Sequence, residues 1–162
     1  MNNLEETLVS FDLDSTIFDT THRQHMIAGR RDWPASKWVA YSMACKDDGP
    51  GPAMPFAQYL TAIGAPFVVA SARDELARDL TRETLAANAI RPWGIFLRET
   101  ISHEGLAHGE WKAQCLLHIE RLYNRKISLH VDDWSAVAEE TAKVGIPTML
   151  VHAPGFSEEK LA

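Results

Sequence analysis

Short apolar runs alternate with longer stretches of helical periodicity along most of this chain. The runs are Thr7–Phe11, Phe67–Ala70, Gly94–Leu97, Ser128–Val131 and Thr148–Val151. Brief, nearly continuous apolar segments of this kind predict strands buried on both faces. The intervening segments read as helices. Pro55 opens one with apolar positions Phe56, Tyr59, Leu60 and Ile63, and Gly64 ends it. Asp74 predicts an N-cap for a helix from Glu75 to about Asn88. Trp111, Cys115, Ile119 and Leu122 recur at helical spacing, and Ser135 caps a last helix closed by Gly145 and Pro147. Strands alternating with helices predict an α/β fold with a central parallel sheet of about five strands, covered on both faces. Right-handed crossovers bring the strands' C-terminal ends to one edge, where open sheets of this class bind ligands.

One stretch breaks the alternation. Ile17 to about Pro52 contains no predicted strand. It begins with the basic group His22, Arg23, His25, Arg30 and Arg31, then continues as a helix with Trp38, Tyr41 and Cys45 on one face. It returns through the turn-rich Lys46-Asp47-Asp48-Gly49-Pro50-Gly51-Pro52. An insertion of this length after the first strand predicts a small helical cap or lid, residues 17–52, within a single domain spanning 1–162.

Composition narrows the function classes. The apolar fraction of 46% supports a real core, and the net charge of −6 argues against a surface for long duplex nucleic acid. A strand end or a single nucleotide in a local basic pocket stays compatible with that charge. Cys45 and Cys115 have no metal-type spacing, so reduced thiols in a cytoplasmic protein are expected. No apolar run reaches membrane-spanning length, and the acidic N-terminus lacks a signal-peptide pattern.

The polar residues after the strands carry the chemistry. Asp12 and Asp14 follow the first run, and residues i and i+2 of a strand point the same way. Two converging carboxylates repel each other and call for a hard cation such as Mg²⁺. Ser71-Ala72-Arg73 follows the second run, Lys112 lies at the start of the Trp111 helix, and Asp132-Asp133 follows Ser128–Val131. A hydroxyl, a cation and helix N-termini are what a phosphate needs. A metal, a phosphate cradle and a carboxylate nucleophile together describe phosphoryl transfer through an aspartyl-phosphate.

This set resembles the haloacid dehalogenase (HAD) superfamily over roughly Thr7 to Val151. Asp12-x-Asp14-x-Thr16, Ser71, Lys112 and Asp132-Asp133 match its four signatures in order. The resemblance implies an HAD-type, Rossmann-like three-layer sandwich with a small cap after strand one. It also implies roles. Asp12 would be the nucleophile, and Asp14 would protonate the leaving group and then activate water. Asp12, the Asp14 main-chain carbonyl and Asp132 would hold Mg²⁺, with Asp133 helping through water. Thr16 would buttress the loop, and Ser71, Ala72 and Lys112 would bind the phosphoryl group. Position 15 is Ser where many members have Gly, and position 72 is Ala where Gly is common.

Ser71-x-Arg73 and the paired Asp132-Asp133 also look like the phosphatase half of bacteriophage-type polynucleotide kinase–phosphatases, as does His22-Arg23-Gln24-His25 followed by a Trp33-containing helix start and Lys46-Asp47-Asp48. No Gly-x-x-x-x-Gly-Lys-Ser/Thr occurs, so no kinase activity is expected. The implied substrate is a nucleotide or a polynucleotide 3′-phosphate end. The alternatives are an HAD phosphatase for a sugar phosphate or other small metabolite, and an HAD-like binding module with slow turnover.

Several residues have plainer readings. Ser71 could simply cap the next helix, and Arg73 could bind substrate or pair with Asp74 or Asp133. Lys126 competes with Lys112 but sits beside a strand start, at the wrong edge. His22 and His25, like His103 and His108, lack partners at zinc-site spacing. Arg23, Arg30 and Arg31 read either as a clamp for a distal phosphate or strand or as a solvated basic loop. Trp33, Trp38, Tyr41 and Trp134 read either as base-stacking residues or as packing.

Overall fold

A computed structural model of the chain describes residues 7–27, 35–99 and 105–152. In chain order its first elements are β1 (Thr7–Phe11), β2 (Phe18–Asp19), α1 (Ala35–Met43), β3 (Gly49–Pro50), α2 (Met54–Ala62) and β4 (Phe67–Asp74). Then come α3 (Arg78–Ala87), β5 (Ile95–Arg98), α4 (His108–Tyr123), β6 (Lys126–Asp132), α5 (Ser135–Lys143) and β7 (Thr148–Leu150). Short 3₁₀ turns at Thr21–Met26, Ala44–Asp47 and Glu75–Ala77 join some of them.

The main sheet has five strands in the order β5-β4-β1-β6-β7. Every pairing in it is parallel. The central strand, β1, is buried against apolar residues from both directions. Phe11 lies opposite Val69 of β4 and Val131 of β6. Alternation along β4 then separates two cores. Phe67 and Val69 join Phe11, Met54, Ala57, Leu60 and Leu85 on one face. Val68 and Ala70 join Leu8, Leu116, Ile119 and Ile127 on the other. Phe11 meets Phe56 and Phe67 edge-on, with ring centroids 5.3 and 5.7 Å apart. This is the three-layer sandwich that the strand–helix alternation predicts.

Two predicted helix faces need correction. On α2 the buried residues are Met54, Ala57 and Leu60, whereas Tyr59 and Ile63 are exposed. The helix starts at Met54, and its inner stripe is set by a small alanine that apolar periodicity underweights. On α4 the inner stripe runs through Lys112, Leu116 and Ile119, and Leu122 is exposed. A lysine in the stripe hides it from a hydrophobicity pattern.

The insertion also differs from expectation. It holds two strands, β2 and β3, which pair antiparallel with Phe18 opposite Pro50 and Asp19 opposite Gly49. Two residues each are too few to give a period-2 signal. Gly51 secures the return. Its N–H donates to the Ile17 carbonyl at 2.8 Å, and a Cβ there would lie 2.6 Å from the Thr16 oxygen. Side chains larger than glycine would therefore push the hairpin off the β1 loop. The helix α1 packs against β4 and the turn after it, and the Asp74 N–H donates to Ser42 Oγ at 2.9 Å. Among the described residues, no helix is long and apolar enough to cross a membrane.

Candidate active site

The β1 ladder runs one residue past the strand. The Asp12 N–H donates to the Val131 carbonyl at 2.8 Å, which fixes Asp12 beside the end of β6. The chain then turns tightly around buried Leu13, whose carbonyl accepts from Thr16 and Phe18 N–H groups. Ser15 takes φ +62° in this turn. That left-handed conformation costs a non-glycine residue about 1 kcal/mol, and such strain is characteristic of functional loops. The Ser15 hydroxyl is held by Thr20 Oγ1 at 3.0 Å. Thr16 is fully buried below it.

Lys112 reaches the same point from α4. Its Nζ donates to Asp12 Oδ1 and to the Ala70 carbonyl, both at 2.6 Å, and lies 3.3 Å from Asp132 Oδ2. One buried ammonium thus ties together Asp12 just past β1, the middle of β4 and Asp132 at the end of β6. Burial acts to lower the lysine's pKa, but the Asp12 and Asp132 charges outweigh it and hold the group protonated. Asp132 receives the reverse treatment. Burial raises its carboxyl, and Lys112 and His130 outweigh that and keep it ionised.

Asp133 completes an acidic cluster. Asp12, Asp132 and Asp133 each offer an oxygen within 4.8 Å of the others. Burial, reinforced by the neighbouring Asp12 and Asp132 charges, pushes the Asp133 carboxyl up to about 9. Burial likewise raises Asp12 to about 6, with Lys112 opposing the rise. A single lysine does not neutralise three carboxylates, and the donor set is all oxygen. That combination fits a hard divalent cation.

A second network holds Asp14. Arg23 Nη2 donates to Asp14 Oδ1 at 2.7 Å, and Arg73 Nη2 donates to the same oxygen. Both guanidiniums also grip Asp48. Arg23 donates from Nε to Oδ1 and from Nη2 to Oδ2, each at 2.7 Å, and Arg73 Nη2 donates to Oδ2 at 3.0 Å. Arg23 further donates to the Tyr41 carbonyl at 2.9 Å and lies over the Tyr41 ring, 4.1 Å from its centroid. Burial acts to raise the Asp14 carboxyl, but Arg73 and Arg23 outweigh it and hold it below the usual carboxylate range.

This network corrects three sequence readings. Arg73 pairs with Asp14 and Asp48 rather than with Asp74 or Asp133. Arg23 is almost wholly buried, so it is neither a solvated loop residue nor a free clamp. Tyr41 is buried under Arg23 and has no face open to a base. Asp48 entered the sequence reading only as part of Lys46-Asp47-Asp48, with no role of its own. Between Asp47 and Gly49 it reads as a turn, and only the fold reveals two arginines converging on it. Because Arg23 and Arg73 would lose a shared buried partner, Asp48→Ala should lower stability by about 3 kcal/mol. Urea denaturation checks this; an unchanged midpoint would remove the network's structural role.

The other candidates are placed as follows. Ser71 is buried, and its Oγ accepts from the Arg73 N–H at 3.3 Å; it follows Ala70, whose carbonyl holds Lys112. Ala72 is partly exposed. Lys126 is exposed and pairs with Glu120. His22 Nε2 hydrogen-bonds Asp48 Oδ1 at 2.9 Å, and His25 contacts the His22 carbonyl. Among the described residues, neither histidine joins a group able to hold a metal. Trp134, at 40% exposure, lies next to Asp133 and against half-buried His108, with ring centroids 4.7 Å apart. Arg30, Arg31, Trp33 and His103 lie outside the described residues.

No family model matches the chain, and no curated protein matches it. Solved structures do. A chain of the Pnkp1/Rnl/Hen1 RNA repair complex matches at 16% identity and a TM-score of 0.64, over 93% of this chain and 44% of that one. The D,D-heptose 1.7-bisphosphate phosphatase from B. bronchiseptica, complexed with magnesium and phosphate, matches at 16% identity and a TM-score of 0.61, over 89% of this chain and 79% of that one. A haloacid dehalogenase-like family hydrolase from Streptococcus pneumoniae matches at 13% identity and a TM-score of 0.62, over 89% and 83%. The chain spans about half the length of the RNA-repair chains it matches, 44% and 47%. The fold of this chain is that of the haloacid dehalogenase-like hydrolases.

Proposed function

We propose that this chain is an HAD-superfamily phosphatase that hydrolyses phosphomonoesters through an aspartyl-phosphate on Asp12, with Mg²⁺ as cofactor. The observation that carries the proposal is Lys112 Nζ bridging Asp12 and Asp132 beside Asp133, at the C-terminal ends of β1 and β6. Asp12, Asp132 and the Asp14 main-chain carbonyl would hold the cation, with Asp133 beside them helping through water. When bound, it offsets carboxylate charge and draws charge from the phosphoryl oxygens.

The remaining work falls to the chain's own groups. An Asp12 oxygen attacks phosphorus, and the bond to the leaving oxygen breaks. Lys112 stabilises the charge that develops on the phosphoryl group, and Ser71 with the backbone that follows it contributes donors. Asp14 protonates the leaving oxygen and then takes a proton from the water that releases phosphate. Its two arginines favour the ionised form, which suits the second step. For the first step the substrate must loosen that grip as it binds, so that Asp14 carries a proton.

A nucleotidic substrate is supported by Trp134, an exposed and braced aromatic next to Asp133, on which a base can stack. The match to a chain of an RNA repair complex points the same way. The negative net charge favours a mononucleotide or the 3′-phosphate of a strand end. A second reading, a sugar phosphate substrate, is favoured by the match to a heptose bisphosphate phosphatase, which takes in far more of that protein's own length. The insertion would act in either case as the cap over the site. Phosphate release from a 3′-phosphorylated oligonucleotide, 3′- and 5′-mononucleotides and sugar phosphates separates the readings. Turnover of sugar phosphates alone would overturn the nucleotidic one.

Chelator should stop turnover, Mg²⁺ should restore it, and Ca²⁺ should not, because Ca²⁺ takes more ligands in looser geometry. A proton should accompany the cation. Burial and the neighbouring Asp12 and Asp132 charges push the Asp133 carboxyl up to about 9, which favours its protonated form when no cation is near. A cation beside Asp133 disfavours that proton, so Mg²⁺ affinity should rise with pH through the neutral range. Calorimetry in buffers of different ionisation enthalpy measures the release directly; binding without it would contradict the assignment of Asp133.

A further inference from the structure

Beneath each of two site carboxylates lies a buried polar residue on the same strand. Ser10 precedes Asp12 by two positions on β1, and His130 precedes Asp132 by two on β6, so each pair shares a face. The register places Ser10 directly opposite His130. The imidazole is fully buried, with Nε2 3.0 Å from Asp132 Oδ2 and Nδ1 3.2 Å from Ser10 Oγ. A histidine here is costly for folding alone. Its neighbours Leu129 and Val131 are apolar, and a buried polar ring must be fully hydrogen-bonded to break even.

We propose that His130 is a positioning residue that sets the cation affinity of the carboxylate cluster by fixing Asp132, with Ser10 fixing His130 in turn. The inference rests on the cation reading above. A neutral imidazole has one N–H. If the Ser10 hydroxyl donates to Nδ1, that N–H must lie on Nε2 and donate to Asp132 Oδ2. Oδ2 then accepts from His130 and sits 3.3 Å from Lys112 Nζ, while Oδ1 accepts the Trp134 N–H at 3.0 Å. The lone pair left for a cation is therefore on Oδ1, and the carboxylate cannot rotate to offer the other oxygen. Partners that orient a metal-binding carboxylate in this way typically govern affinity by about 10- to 100-fold.

The test is Mg²⁺ binding by calorimetry, with melting in chelator as a second readout. His130→Leu should weaken Mg²⁺ binding by about 10- to 100-fold while staying folded in chelator. His130→Gln, which keeps an N–H donor at the Nε2 position, should recover most of the affinity. Ser10→Ala should weaken binding less than His130→Leu does, and it serves as the independent variant if His130→Leu fails to fold. Wild-type affinity in both His130→Leu and Ser10→Ala would overturn the proposal while leaving the cation site intact. A lower melting temperature with unchanged affinity would overturn it equally, because His130 is then structural only. If the wild-type chain binds no Mg²⁺, the cation reading itself fails and this inference goes with it.

Discussion

Asp12→Asn should abolish phosphate release, by at least about 10⁴-fold, and leave the protein folded. The amide has nearly the shape of the carboxylate but is a poor nucleophile toward phosphorus. Folding should survive because Lys112 keeps two partners, the Ala70 carbonyl and Asp132. Loss of one negative charge also relieves the repulsion that helps push Asp12 to about 6 and Asp133 to about 9. Stability in chelator is thus expected to stay close to wild type, as measured by urea denaturation beside the activity assay. An undiminished rate would remove Asp12 as nucleophile, and an unfolded variant would show that its carboxylate is needed for structure.

Lys112→Ala should damage both rate and stability. The lost contact to the transition state is worth about 10²- to 10³-fold in rate. In chelator, the substitution leaves the buried Asp12 and Asp132 with no shared cation, which costs about 3–5 kcal/mol. The pH dependence has a definite sign. Without the lysine, burial raises both carboxyls above their unfolded values. Acids with raised folded pKa values destabilise the protein above those values and cease to do so once protonated. The deficit relative to wild type should therefore be greatest at neutral and alkaline pH and shrink on acidification. Mg²⁺ should restore part of it by supplying the missing positive charge. Equal stability across pH would mean that the lysine is not the electrostatic hub of the site.

The fold was largely legible in the sequence because parallel strands buried on both faces give continuous apolar runs. All five runs proved to be strands of the central sheet, and β1 kept the predicted bounds. Asp12, Asp14 and Asp132 were visible because they follow such runs directly. What stayed hidden has a common physical character. Asp48 and Arg23 belong to a buried ion network whose partners are 9 to 25 positions apart or more distant still, and charged residues in a turn-rich segment look solvated until the fold brings them together. His130 was hidden for the opposite reason. It sits inside an apolar strand, where one histidine reads as a packing residue. The two-residue strands β2 and β3 had no periodicity to read.

If Asp12 carries the phosphoryl group between two half-reactions, the covalent intermediate can be trapped. The enzyme is quenched during turnover of its best substrate from the panel, and the phosphoryl group is located by peptide mass spectrometry. The expected result is a phosphorylated peptide containing Asp12, present only with substrate and Mg²⁺ and absent in Asp12→Asn. Steady phosphate release with the label on another residue, or undiminished release from Asp12→Asn, would contradict the aspartyl-phosphate mechanism.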